Sequence, residues 1–284
     1  GVQDFEPSVQ RAINRRQSFE DTRAAIEQLR AVGIKRFNVD LVYGLPCQTL
    51  ATLTRTLDLA ISLRPDRFAV FGYAHVPWMK AHQRLIDESA LPGDAVRASM
   101  TALVREKLTQ AGYRSIGLDH YALPGDRLAK AAEAGTLHRT FQGYVADRSS
   151  HVIGVGASAI SNLPGGFSQN VADPAQYMAR IAQDDLATAR GVALTRDDCL
   201  RGAIIERLMC DHAVELRALC RQYGVDTEAF LSTVERDTLE DDGLLRRDAN
   251  HLVVTDAGKP FVRFICAAFD RHYTGAEGRH SRGL

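Results

Sequence analysis

The chain has 284 residues, 45% hydrophobic and 25% charged, which are ordinary globular values and leave room for one large domain or a medium one plus a small one. Its 35 Lys and Arg balance 35 Asp and Glu, so no positive field is available to hold a polyanion, and nucleic acid is not an expected partner. No apolar run approaches the roughly 18 residues that a membrane span needs, and the first residues lack the basic and apolar regions of a signal peptide, so a cytoplasmic protein with no membrane partner is expected.

The chain opens on Gly1-Val2-Gln3-Asp4-Phe5 without an initiator Met and reads as cut. Glu6 to Arg16 is expected to form a short helix with Val9, Ala12 and Ile13 as its apolar stripe and Arg11, Arg15 and Arg16 on the polar side. Ser18 with Asp21 resembles a capping box, Ala25, Ile26, Leu29 and Val32 follow at helical spacing, and Gly33 supplies the stop. Phe37 to Thr49, FNVDLVYGLPCQT, then reads as a strand that breaks at Gly44-Leu45-Pro46 and feeds a helix. Side chains alternate across a strand, so Asn38 and Asp40 share one face while Val39 and Leu41 take the other. Such a polar face, between two amphipathic helices, fits a parallel strand lining a barrel interior near its mouth. The alternative is that Asn38 and Asp40 merely bond to neighbouring backbone.

A second helix begins near Thr49, with Leu53, Leu57, Ala60 and Leu63 inward, and ends at Pro65; Arg67 to Tyr73 is a second strand. This order with short connections predicts βαβ units and a parallel sheet. Ala74-His75-Val76-Pro77 leaves that sheet at the end where α/β proteins keep their sites. Gly93 to Ala111 is a third helix, with Val96, Met100, Leu103, Val104 and Leu108 periodic, and Tyr113 to Leu118 is a strand leading into Asp119-His120-Tyr121. His151 to Ser161 contains Gly154 and Gly156 but no third glycine at the dinucleotide-loop spacing, which points to close backbone packing and not to a nucleotide.

Beyond Ala193, Thr195 with Asp198 resembles another cap, followed by an apolar helix face of Leu200, Ile204, Leu208 and Met209. Helices over Val214 to Gln222 and Thr227 to Asp241, a small hairpin and a helix from Ala257 to Arg271 make a winged-helix pattern. The apolar Phe261, Ile265 and Phe269 favour docking onto a partner domain over DNA binding. Cys47, Cys199, Cys210, Cys220 and Cys266 are odd in number and widely spaced, against a disulfide framework and against a compact Cys-x-x-Cys metal site, so no metal ligand is assigned. His75, His120 and His138 fall in motif regions, and a satisfied structural role is the default for each.

Gly1 to Phe5 (GVQDF), Asn38 to Pro46 (NVDLVYGLP), Tyr73 to Pro77 (YAHVP), Gly117 to Tyr121 (GLDHY) and Phe141 to Tyr144 (FQGY), in that order, resemble oxygen-independent coproporphyrinogen III oxidases, radical S-adenosylmethionine enzymes of haem biosynthesis. The likeness runs from Gly1 to about Arg271. Haem chaperones of the same superfamily share the first two signatures and are the alternative; the later motifs look like the oxidase pattern.

The resemblance implies an α/β fold: the C-terminal part of a partial (β/α)6 radical-SAM barrel with its extension over residues 1–194, then a small, mainly α, winged-helix-like domain over residues 195–284. It implies two S-adenosylmethionine molecules and a four-iron four-sulfur cluster on a Cys-x-x-x-Cys-x-x-Cys loop. In the family, the reduced cluster generates a 5′-deoxyadenosyl radical that takes a hydrogen from each of two propionates of coproporphyrinogen III, and loss of carbon dioxide leaves vinyl groups. No such cysteine loop occurs here, so the chain is expected to hold no cluster and to be inactive alone. A monomer is expected; the electron donor and acceptor are not indicated.

By position, the resemblance puts Gln3, Arg15, Asp40, Ala74 and Ile160 where the family contacts S-adenosylmethionine, with Phe71, Phe141 and Gln142 beside them. Arg15 would pair with the methionyl carboxylate, Asp40 would accept from ribose hydroxyls or the amino group, and Gln3 and Gln142 can do either. Phe71, Ala74 and Ile160 would wall the adenine. No residue receives a catalytic role.

Overall fold

The computed structural model describes residues 1–140, 143–147, 149, 151–234, 237–248 and 251–273. The chain forms two compact units, residues 1–133 and 134–273.

In the first unit, residues 1–5 run along β1 (Asn38–Tyr43) after a single bridge between Gln3 and Leu41, and lead into α1 (Pro7–Ala12). This helix is shorter than the expected Glu6–Arg16 span because Asn14 takes a left-handed φ of 51° that ends it. The following helix, α2 (Phe19–Ala31), starts where Ser18 Oγ accepts from the Asp21 amide at 3.0 Å. Its buried face is narrower than the spacing predicts. Thr22 and Ile26, one turn apart, are buried and Phe19 packs against the core, while Leu29 and Val32 stay exposed.

The alternation of β1 is as expected: Val39, Leu41 and Tyr43 are buried, and Asn38, Asp40 and Val42 face the other way. Thr49 caps α3 (Leu50–Ser62) through a reciprocal bond with Thr52, and Leu53, Leu57 and Ala60 line its buried side. β2 (Arg67–Gly72) then pairs in parallel with β1. α4 (Asp94–Gln110) buries Met100, Val104 and Leu108, while Val96 remains exposed near its start.

β3 (Arg114–Gly117) and β4 (His120–Ala122) form an antiparallel hairpin, and β4 also runs antiparallel to β2, giving the order β1-β2-β4-β3. The sheet is therefore mixed, not wholly parallel. Gly117-Leu118, both at positive φ, make the tight reversal that this antiparallel hairpin needs. α5 (Arg127–Glu133) closes the unit. Leu41, Leu53, Leu57, Phe68, Met100 and Leu108 form the centre of one continuous core.

The second unit opens with the hairpin β5 (His138–Thr140) and β6 (Gly143–Val145). β7 (Ile160–Leu163), β8 (Gly166–Asn170) and β9 (Thr188–Ala193) form an antiparallel sheet with α6 (Pro174–Ile181) between the last two strands. A Cβ on Gly154 would lie 2.7 Å from the Ile160 carbonyl oxygen, so this glycine serves close backbone packing, as the missing third glycine suggested.

A full capping box of Thr195 and Asp198 starts α7 (Arg196–Asp211), whose Leu200, Ile204 and Leu208 are completely buried. β10 (Ala213–Glu215) and α8 (Leu216–Gln222) follow. The single helix expected over Thr227–Asp241 is instead α9 (Thr227–Leu231) and α10 (Asp237–Asp241). β11 (Leu245–Asp248) and β12 (His251–Val254) complete a three-stranded wing with β10, and α11 (Val262–Ala267) is shorter than its apolar run. Ile265 and Phe269 are buried within this unit, which uses most of the apolar stripe internally.

Candidate cofactor-binding site

One face of the first sheet carries a row across three strands. Asp40 lies opposite Ala69, and Ala69 lies opposite His120. Phe71 stands on the same face, opposite Val42, with its ring edge-on to His120 at 5.8 Å between centroids. Val39, Leu41, Phe68 and Val70 take the opposite face into the core; on this face Ala69 is itself buried, while Asp40 and Phe71 keep partly exposed side chains.

Asp40 is held from two sides. Its carboxylate accepts from Asn38 Nδ2 at 2.6 Å, and its carbonyl oxygen accepts from the amides of Val2 and Gln3 at 3.0 and 2.9 Å. The side chain remains 38% exposed. Gln3 has φ 72°, a left-handed value, and is fixed there by a second bond in which its carbonyl accepts from the Val42 amide at 2.9 Å. A Cβ built on Gly1 would lie 2.9 Å from both Asp40 Oδ2 and Gln3 Nε2, so these two side chains converge on one small space at the sheet edge. Arg15 reaches the same place, Nη2 donating to the Gly1 carbonyl.

Beyond β2 the chain passes into Tyr73-Ala74-His75. The Ala74 carbonyl accepts from Gln83 Nε2 at 3.0 Å while Gln83 Oε1 accepts from the Val76 amide at 2.6 Å, so one buried amide clamps the loop on both sides of His75. His75 Nε2 donates to Glu88 at 3.0 Å, which leaves Nδ1 to accept from the Tyr73 hydroxyl at 3.2 Å. Burial pushes the Tyr73 phenol up from its ordinary range. His75 is thus the satisfied histidine that its setting suggested.

Gln3, Arg15 and Asp40 therefore come together at one edge, and Phe71 shares the sheet face with Asp40. Ala74 stands past the end of β2, with its carbonyl taken by Gln83. Ile160 belongs to the second unit, where with Arg139, Val152, Phe167, Ile205 and Met209 it lines a cleft of about 730 Å³. Arg139 lies with its guanidinium over the Tyr144 ring at 5.0 Å, and its amide donates to Glu206, which also holds His138 Nδ1 at 3.1 Å. Phe141 and Gln142 lie outside the described residues. Gln48, Gln83 and Asn38 are polar parts of this arrangement that the motif reading left unassigned.

The sheet edge carries a carboxylate, an amide and a guanidinium, donors and acceptors of the kind that an amino-acid-bearing nucleoside such as S-adenosylmethionine pairs with. The thiols do not fit an iron–sulfur cluster. Cys47 is exposed and alone, and burial pushes the Cys210 and Cys266 thiols up to about 12, away from the thiolate that iron requires. Among the described residues no three His, Cys, Asp or Glu side chains group to hold a metal ion.

Residues 194–261 match the HemN C-terminal domain. The structure superposes with a TM-score of 0.90 on the solved coproporphyrinogen III oxidase HemN of Escherichia coli, described as a radical SAM enzyme, at 38% identity over 95% of this chain and 63% of that one. The fold is thus that of a HemN-type radical-SAM protein, α/β with a HemN C-terminal module. In sequence, the chain is 46% identical over its whole length to the oxygen-independent coproporphyrinogen III oxidase of Bradyrhizobium diazoefficiens, covering 63% of that protein. It is 41% identical to the anaerobic coproporphyrinogen III oxidase 1 of Cereibacter sphaeroides, covering 62% of it. The chain is thus similar over its whole length to oxygen-independent coproporphyrinogen III oxidases and spans a little over three-fifths of theirs.

Proposed function

We propose that this chain is the cofactor-facing wall and C-terminal module of an oxygen-independent coproporphyrinogen III oxidase, which converts two propionates of coproporphyrinogen III to vinyl groups by oxidative decarboxylation. The observation that carries the reading is the convergence of Gln3, Asp40 and Arg15 at one sheet edge, in a chain alignable end to end with such oxidases. Gln3, Arg15, Asp40, Phe71 and Ala74 are assigned to hold S-adenosylmethionine on the first unit; Ile160, Phe141 and Gln142 keep the contact role that the resemblance alone gives them. When bound, that cofactor supplies hydrogen abstraction at the propionate carbons.

The chain's own residues bind and orient. Arg15 offers a planar fork to a carboxylate, Asp40 accepts from hydroxyl or amino hydrogens with Asn38 fixing its rotamer, and Phe71 presents a ring face to the base. No cysteine here serves a cluster, so the proposed decarboxylation needs cluster ligands from outside these residues. The module from residue 195 is proposed as the winged-helix-like unit of the same monomeric, cytoplasmic enzyme. No helix among the described residues is long and apolar enough to cross a membrane.

Two measurements test this. Calorimetric titration with S-adenosylhomocysteine should show binding that Asp40→Asn and Arg15→Met each weaken, and an anaerobic assay with coproporphyrinogen III should yield vinyl product only with cluster ligands supplied. Binding unchanged in both variants would overturn the assignment of this edge. Retention of haem by the purified protein, with no decarboxylation, would instead favour a haem chaperone.

A further inference from the structure

Gln3 keeps a left-handed backbone conformation that is strained for a residue with a side chain, and something must hold it there. Its neighbour Asp4 supplies the hold. Asp4 turns its carboxylate away from the sheet edge into the core, where it is completely buried and accepts from the Glu6 amide at 2.5 Å, Thr56 Oγ1 at 2.8 Å and Gln48 Nε2 at 2.6 Å. Burial raises its pKa although all three hydrogen bonds oppose that rise.

The Gln48 side chain, also buried, can be oriented only one way. Its Oε1 accepts from the Gly44 and Leu45 amides at 2.6 and 3.3 Å, so its Nε2 must face acceptors, and it donates to Asp4 and to the Val42 carbonyl at 3.1 Å. The same Val42 gives its amide to Gln3. One chain of bonds therefore joins the turn after β1, the end of β1 and the residue following Gln3, and the side chains that carry it, Asp4 and Gln48, are both buried.

We infer that Asp4 and Gln48 are positioning residues, which hold the Gln3 side chain beside Asp40 so that the edge meets its cofactor preformed. The inference rests on the cofactor reading above and adds to it how the edge is kept in shape. A plain core anchor would cost stability and would weaken binding equally whether or not Gln3 has its side chain. A positioning residue acts through Gln3 alone.

A double-mutant cycle separates the two. With S-adenosylhomocysteine as the probe, Asp4→Asn and Gln48→Met should each weaken binding about tenfold when Gln3 is present, yet by less than about twofold in the Gln3→Ala background. Equal losses in both backgrounds, or no loss in either, would overturn the inference. Should Asp4→Asn not fold, Gln48→Met carries the same cycle, and Thr56→Val offers a milder third cut. The side-chain amide resonances of Gln3 in a proton–nitrogen spectrum give a readout free of cofactor: they should sit away from their random-coil position and move towards it in either variant. If the wild-type protein takes up no probe, the cofactor reading fails. If the resonances do not respond, the positioning role fails.

Discussion

In the first unit the buried polar side chains Asp4, Gln48 and Thr56 bind loop and turn backbone, and the effect is to shape an edge that stays open. In the C-terminal module the buried Arg201 does the reverse and ties separate helices shut. Its guanidinium donates to Asp197 at 2.8 Å, to Thr233 Oγ1 at 2.9 Å and to the Phe269 carbonyl at 3.3 Å, and it lies over the Phe230 ring at 5.0 Å. Both regions take polar groups out of water and satisfy them. The difference lies in the partner: backbone of a turn in one case, side chains and ends of packed helices in the other. Buried polarity of the first kind specifies a local conformation, and that of the second kind specifies which helices meet.

The largest effect should follow from breaking the second kind. Arg201→Met removes a buried guanidinium and leaves Thr233 Oγ1 and the Phe269 carbonyl without its hydrogen bonds, while Asp197, 39% exposed, keeps Arg271 at 3.2 Å; the loss should be about 2–3 kcal/mol. The urea midpoint of the protein should fall, with probe binding at the Gln3–Asp40 edge unchanged. A variant as stable as the parent would show that helix packing alone holds the module together.

Next in size is a change at the turn that Gln48 holds. Gly44 has φ 80°, and a Cβ there would lie 2.6 Å from Arg97 Nη1, the movable end of a long side chain. Gly44→Ala should therefore cost about 1–2 kcal/mol, almost all from the left-handed backbone. Here the midpoint shift is smaller than for Arg201→Met, but binding of S-adenosylhomocysteine should weaken with it, since the turn and Gln3 share Val42 and Gln48. Loss of stability with full binding would separate the turn from the edge.

How much of this is legible in the sequence varies with the range of the interaction. The alternation in Asn38-Val39-Asp40-Leu41, the capping box at Thr195 and the tight approach at Gly154 are local and occur as the residues suggest, and of the box expected at Ser18 the half in which its hydroxyl accepts from Asp21 forms. The convergence of Gln3, Arg15 and Asp40 was legible only through the motifs, because residues 3 and 40 meet by a strand-edge docking that no local pattern encodes. The reversed strand β4 was not legible: His120-Tyr121-Ala122 is too short to show a period, and its direction follows from the positive φ values at Gly117 and Leu118. Leu29 and Val32 misled for a related reason, since helical spacing identifies an apolar stripe but not how much of it a neighbour covers. Gln48 and Gln83 were overlooked because a glutamine in a loop resembles surface until the backbone groups it satisfies are known.

The smallest predicted effect is also the one that most directly sets the two regions against each other, through pH. Asp198 is held well below the usual carboxylate range by the Thr195 hydroxyl first, then by the Thr195 amide and His272. A depressed pKa means that its contribution is present above the ordinary value of 3.8 and is lost as the pH falls through the lowered one. Asp4 is shifted the other way by burial, so its contribution is fullest below 3.8 and declines as the pH rises through its raised value. The stability difference between parent and Asp198→Asn should therefore shrink on acidification from pH 7 towards pH 3, and that between parent and Asp4→Asn should grow. Urea midpoints measured at both pH values read the two slopes directly. Slopes of the same sign would mean that the core carboxylate and the helix cap feel similar surroundings, which would remove the contrast between a buried edge-shaping network and a solvated helix start.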